Sequence, residues 1–210
     1  MEFRYIAIEG VIGVGKTSLA TALAKKMNAR LVLEEVEENP FLANFYRDPK
    51  RFAFPTQIYF LLSRHKQQST IAQADLFQAK IVSDYMFLKD RIFAYVNLTE
   101  PELTLYEKIF QVLKADIPNP GLVVYLQATP EILITRIRKR NRIFERELAY
   151  EYLAQLSDAY NSFFFHYNDA PLLIVNTENL DFANNPKDFE AIYNEILHFT
   201  GRRVIFSKGV

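Results

Sequence analysis

The chain has 210 residues, half of them apolar, with 18 Phe and 12 Tyr to fill a core, which suits one α/β domain over residues 1–210. Its 25 basic and 25 acidic residues cancel, so no net field gathers nucleic acid or an anionic membrane surface. The lack of cysteine excludes disulfides and thiol chemistry, no apolar run approaches the roughly 18 residues of a membrane span, and no leader-like pattern opens the chain, so a cytoplasmic protein is expected.

Taken in chain order, residues 5–8 read as a buried strand, followed by a Gly-rich turn and a helix over 16–27. Residues 30–33 read as a second strand ending at Glu34 and Glu35. Asn39-Pro40 is expected to start a helix, with Asn as cap and Pro in its first position. A long helix is expected over 55–74 and a third strand over 80–83, ending at Asp84. A fourth strand falls at 122–126, with Thr129-Pro130-Glu131 capping the helix that follows. A helix over 148–164, a fifth strand over 172–175 and a last helix over 186–199 complete the reading. The tail Arg202–Phe206 receives no assignment. This alternation predicts an α/β fold, a five-stranded parallel sheet with helices on both faces. Ligands of such sheets bind beyond the carboxyl ends of the strands, so chemistry is sought at the Gly-rich turn, Glu34 and Asp84.

Gly10, Gly13, Val14 and Gly15 lead into Lys16, Thr17 and Ser18 with the Walker A spacing, between a strand and a helix. Glycines allow the left-handed turns that point successive N–H groups into one concavity, and the helix N-terminus adds partial positive charge. Lys16 can reach the β- and γ-phosphates of ATP, and the Thr17 hydroxyl can ligate Mg²⁺. Together these residues are the candidate ATP site.

Other candidates carry two readings from the residues alone. Glu34 could accept a proton from an attacking hydroxyl, or belong to a solvated acidic run, Glu34–Glu38. Asp84 could hold Mg²⁺ or simply end a strand. Arg136, Arg138, Lys139, Arg140 and Arg142 could close over a phosphoryl group as a lid, about residues 136–147, or dress a helix C-terminus. Gln57 and Arg64, two turns apart, could meet a base edge or form a wet helix face. Tyr46 could equally be a packing residue.

Together, these segments resemble the deoxynucleoside kinase family, in its bacterial deoxyadenosine/deoxyguanosine kinase branch, over nearly the whole chain. The segments are Glu9–Thr17, Glu34–Phe41, Phe45-Tyr46, Thr56–Tyr59 with Ser63-Arg64, Ser83-Asp84 with Asp90, and Arg140-Asn-Arg142 with Glu145. The resemblance implies a P-loop kinase that uses ATP and Mg²⁺ to phosphorylate the 5′-hydroxyl of a deoxynucleoside, and a homodimer. It casts Glu34 as general base, Gln57 with Arg64 as base-binding residues, and Asp84 as the acid near Mg²⁺. Arg136, Arg140 and Arg142 become lid arginines, and Tyr46 with Glu145 hold the deoxyribose 3′-hydroxyl. Asp90, with Arg64, points to purine or deoxycytidine use, and the branch to dA and dG.

Two departures stand out. The family often has Glu-Pro where this chain has Glu34-Glu35, which leaves either Glu as the base. Its third-strand acid is followed by Arg, which helps fix the 5′-hydroxyl and phosphates, whereas Asp84 precedes Tyr85. Lys89, Arg91 or a different organisation must then cover that role. Two other readings stay open: a thymidylate-like nucleoside monophosphate kinase, which tends to carry a further Arg beside that acid, and a non-catalytic nucleotide-binding module.

Overall fold

The computed structural model describes residues 3–74, 80–115, 117–142, 145 and 148–209. One parallel sheet runs through the chain in the order β2-β3-β1-β4-β5-β6. At its centre, β1 (Tyr5–Gly10) is buried along its whole length, its apolar run Tyr5–Ile8 suiting a strand covered on both faces and its buried Glu9 accepting from Met86 N (2.7 Å). On one side lie β3 (Ile81–Ser83) and the edge strand β2 (Arg30–Val32). On the other lie β4 (Leu122–Gln127), β5 (Leu172–Asn176) and β6 (Arg203–Ser207). The strand order reverses at β1, so the crevice beyond its carboxyl end is where a ligand is expected.

The sheet therefore has six strands, not five. The unassigned tail supplies the sixth, because Val204 and Phe206 face inward while Ile205 faces out, the alternation of a half-covered edge strand. Arg203 docks it by donating to the carbonyls of Phe165 (3.0 Å) and Tyr167 (2.8 Å).

The helices are α1 (Lys16–Met27), α2 (Leu42–Arg47), α3 (Pro49–Ala74), α4 (Lys89–Asn97), α5 (Glu100–Lys114), α6 (Pro130–Arg140), α7 (Tyr150–His166) and α8 (Pro186–Leu197). Helix α3 begins six residues before the expected start, with Pro49 in its first position and Pro55 carried inside it. The expected start at Pro55 moves to Pro49, because a long packed helix tolerates the bond lost at an internal proline. The Asn39-Pro40 start is displaced too. Asn39 accepts a hydrogen bond from Phe41 N (3.0 Å) in a turn before α2, and its amide donates to the Thr56 carbonyl (3.1 Å). Helices α4 and α5 fill a stretch for which the sequence reading proposed no element.

The main core gathers both faces of the sheet with α1 and α4 to α8, and includes a close aromatic stack of Tyr125 on Phe164 (4.1 Å between centroids). A smaller apolar cluster, Leu42, Phe45, Ala53 and Phe60, ties α2 to α3 beside the crevice. That cluster fixes where α3 presents its polar residues.

Candidate active site

The loop between β1 and α1 adopts its shape through glycine. Gly13 (φ +86°) leaves no room for a Cβ, which would stand 2.6 Å from Cγ1 of Ile137 on α6. The Lys16 ammonium donates to the carbonyls of Gly10 (2.8 Å) and Val11 (3.3 Å), folded back over its own loop. Burial and the nearby Lys89 charge push Lys16 down to about 8, against the opposing pull of Glu9, Glu34 and Asp84.

The Thr17 hydroxyl donates to Asp84 Oδ2 (2.6 Å), and the Glu34 amide donates to Asp84 Oδ1 (2.8 Å). One carboxylate thus links the phosphate loop, the end of β3 and the end of β2. The Thr17 and Asp84 oxygens are hard donors side by side, the set a Mg²⁺ ion uses when phosphates and water complete its shell.

Glu34 lies at the floor of the crevice. Its Oε1 accepts from Arg64 Nε (2.9 Å) and Nη2, and its Oε2 accepts from the Lys89 ammonium. Burial alone would raise this carboxyl, but Arg64, Lys89 and Lys16 together outweigh it and hold Glu34 well below the usual carboxylate range. Arg64 also pairs with fully buried Asp90 and stacks over Phe60, its guanidinium 4.6 Å from the ring centroid. Glu35 lines a different groove with Arg30, Tyr59 and Lys66.

A single cleft is lined by Gly13, Lys16, Thr17, Glu34, Tyr46, Gln57, Arg64, Asp84, Arg140, Arg142 and Glu145. Eleven of the expected site residues therefore meet. Lys89, Phe45, Phe60, Phe93, Asn97 and Tyr152 complete the wall opposite the phosphate loop. Buried Glu145 takes both Nε (3.2 Å) and Nη2 of Arg140, and Arg142 reaches Glu37 at 3.9 Å. The expected lid span includes residues 143, 144, 146 and 147, which lie outside the described residues.

Six expected residues are not among those lining the cleft: Gly10, Val14 and Gly15 belong to the phosphate loop itself, and Ser18, Arg136 and Asp90 land elsewhere. Arg136 does not line the cleft: it donates to the Val14 carbonyl (3.3 Å), to Thr177 Oγ1 (3.0 Å) and to the Thr177 carbonyl (2.8 Å), binding α6 to the back of the phosphate loop. Helical spacing reveals the face of α6 but not which carbonyls meet it. Ser18 is exposed on α1, and Asp90 acts behind Arg64. Of the two cations suggested for the role left open by Tyr85, Lys89 is in the cleft. Arg91 instead donates to Glu107 (2.8 Å) and Tyr95 (3.3 Å). Tyr85 is fully buried, its hydroxyl donating to Gln67 Oε1 (2.9 Å) on α3.

The sequence reading assigned no role to Tyr152, Asn97 or Phe93. Asn97 donates to Tyr152 (3.0 Å), closing the wall from α4 to α7. An amphipathic pattern in α4 was the signal available for Phe93 and Asn97, and Tyr152 lies on α7.

A family model described as deoxynucleoside kinase matches residues 6–200. Deoxyguanosine kinase of Bacillus subtilis (strain 168) is 37% identical over 193 residues, covering 90% of this chain and 93% of that protein. Deoxyadenosine kinase of Dictyostelium discoideum is 40% identical over 169 residues, covering 78% of this chain and 67% of that one. Among solved structures, deoxyadenosine kinase from M. mycoides with bound dATP superposes with a TM-score of 0.80 at 30% identity, over 92% of this chain and 99% of that one.

Proposed function

This chain belongs to the deoxynucleoside kinase family, and from that premise we propose how its cleft carries out the reaction. The enzyme transfers a phosphoryl group from ATP to a deoxynucleoside. The observation that carries the reading is the bridge made by Asp84, whose two oxygens take the Thr17 hydroxyl (2.6 Å) and the Glu34 amide (2.8 Å). It sets the phosphate end and the acceptor end of the cleft side by side.

The deoxynucleoside enters along α3, with Gln57 and Arg64 at its base edge and Tyr46 with Glu145 at the sugar. Its 5′-oxygen attacks the γ-phosphorus in line. The new O–P bond forms as the bond to the ADP oxygen breaks, and the hydroxyl proton passes to Glu34. Glu34 is strongly ionised and so a weak base; its larger service is to orient the hydroxyl, as suits a loose transition state governed by position and charge. Lys16, Arg140 and Arg142 hold the phosphoryl oxygens. Thr17 and Asp84 would hold Mg²⁺, which when bound neutralises phosphate charge.

A preference for dA and dG draws support from the deoxyguanosine and deoxyadenosine kinases among the relatives, while the Arg64–Asp90 pair accords with purine or deoxycytidine use rather than thymidine use. A single catalytic domain over 1–210 accords with one sheet spanning the chain. We place the enzyme in the cytoplasm; no helix among the described residues is long and apolar enough to cross a membrane. The test is ADP release with dA, dG, dC, dT and dTMP as acceptors, repeated with Glu34→Gln. Release with dA and dG is expected, with turnover about 10²–10⁴ lower in the variant and ATP binding retained. Release with dTMP alone, or with none, would reject the reading.

A further inference from the structure

Among the described residues, most cations at the cleft are already committed. Lys16 and the arginines serve the loop side and the lid, and Arg64 is shared between Glu34 and Asp90. The position after Asp84 holds Tyr85, buried, with its hydroxyl turned to Gln67 on α3. No charge reaches the acceptor side from there.

Lys89 opens α4, is 3% exposed, and lines the cleft. Its ammonium has one ion-pair partner, Glu34 Oε2, and that carboxylate already receives two N–H groups from Arg64. Lys16 and Lys89 line the same cleft, one from the phosphate loop and one from α4. The Lys89 nitrogen lies 5.8 Å from the centroid of the Phe93 ring, a wall along which a flexible stem can pivot.

We propose that Lys89 is the acceptor-side cation of this enzyme, its ammonium passing from Glu34 to the oxygens of the γ-phosphoryl group as that group is transferred. It supplies, from five residues beyond Asp84, the cation that Tyr85 does not. The phosphoryl group, three-oxygened and anionic in its loose transition state, then lies between two ammonium groups. Departure of Lys89 also leaves Glu34 Oε2 free for the 5′-hydroxyl proton. The proposal rests on the kinase reading above.

The chain has no cysteine, so Lys89→Cys introduces a single thiol that can be alkylated selectively. Treatment with 2-bromoethylamine rebuilds a lysine-like ammonium there, whereas iodoacetamide adds a neutral group of similar bulk. Wild-type activity in the acceptor panel is read first, so that failure of the kinase reading is seen separately. The expected result is a kcat lowered about 10²–10³ in Lys89→Cys, restored to within about tenfold by bromoethylamine and not by iodoacetamide. A kcat within about threefold of wild type, or equal recovery with both reagents, overturns the proposal. If the thiol variant does not fold, alkylation before refolding supplies the charged and neutral adducts, compared once circular dichroism shows both folded. Binding of ADP–aluminium fluoride with deoxyguanosine separates a direct role from one exerted through Glu34. In a Glu34→Gln background, Lys89→Cys should still weaken this mimic at least about tenfold, and no loss there overturns the proposal.

Discussion

At the residue scale, Arg64 sets the electrostatics of the cleft. It is 3% exposed, and pairs with Glu34 at the floor and Asp90 behind it. Removing it leaves Asp90 without that guanidinium and Glu34 with Lys89. A buried ion pair broken from one side costs about 3–5 kcal/mol, more than the pair contributes over an apolar replacement. Arg64→Ala should therefore lower urea-unfolding stability by about that amount, with Asp90→Asn restoring part of it in the double variant. Additive losses would contradict the shared site. Glu34, Asp84 and the phosphate loop were readable in the sequence because strand ends and glycine spacing are local signals. Arg136 and Lys89 were not resolved, since a helix position reveals a face and not the carbonyl or carboxylate across from it.

At the element scale, the missed helices are instructive. Helix α5 starts with a capping box in which Glu102 accepts from the Thr99 amide (2.9 Å) and hydroxyl (2.7 Å). Thr99→Ala should destabilise the protein by about 0.5–2 kcal/mol by chemical denaturation while leaving kcat unchanged, because α5 stands away from the cleft. That Thr-x-x-Glu signal, with Pro101 next to it, was present in the sequence. It stands in a stretch between β3 and β4 where no apolar strand run frames a helix between two others. β1, β3, β4 and β5 were legible as apolar runs. β2 was read as well, while β6 was not, for its alternating Arg203–Ser207 run is half polar and exposes every second side chain. Pro55 misled in the opposite direction: a strong local rule was overridden by the packing of α2 on α3.

At the scale of the whole molecule, α3 packs against α5 and leaves apolar side chains outside the fold. Leu62 is 51% exposed on α3, and Leu105 and Val112, two turns apart on α5, are 49% and 74% exposed. We propose that these helices meet their counterparts in a homodimer, since such a face loses free energy in water. Sedimentation equilibrium should show twice the chain mass for the wild type and one chain mass for Leu105→Lys with Val112→Lys. A wild-type monomer would remove the proposal.

Tyr85 and Lys89 together set how this cleft can change by mutation. The pocket that accepts the Tyr85 ring and seats its hydroxyl on Gln67 cannot receive a guanidinium without stranding a charge in the core. Lys89, in turn, carries the cleft-side charge that the proposal above assigns to it, while Arg64 is shared between Glu34 and Asp90. With Lys89 in the role proposed above, moving the cation to position 85 takes paired substitutions, since Tyr85→Arg alone puts a guanidinium into the buried space beside Gln67.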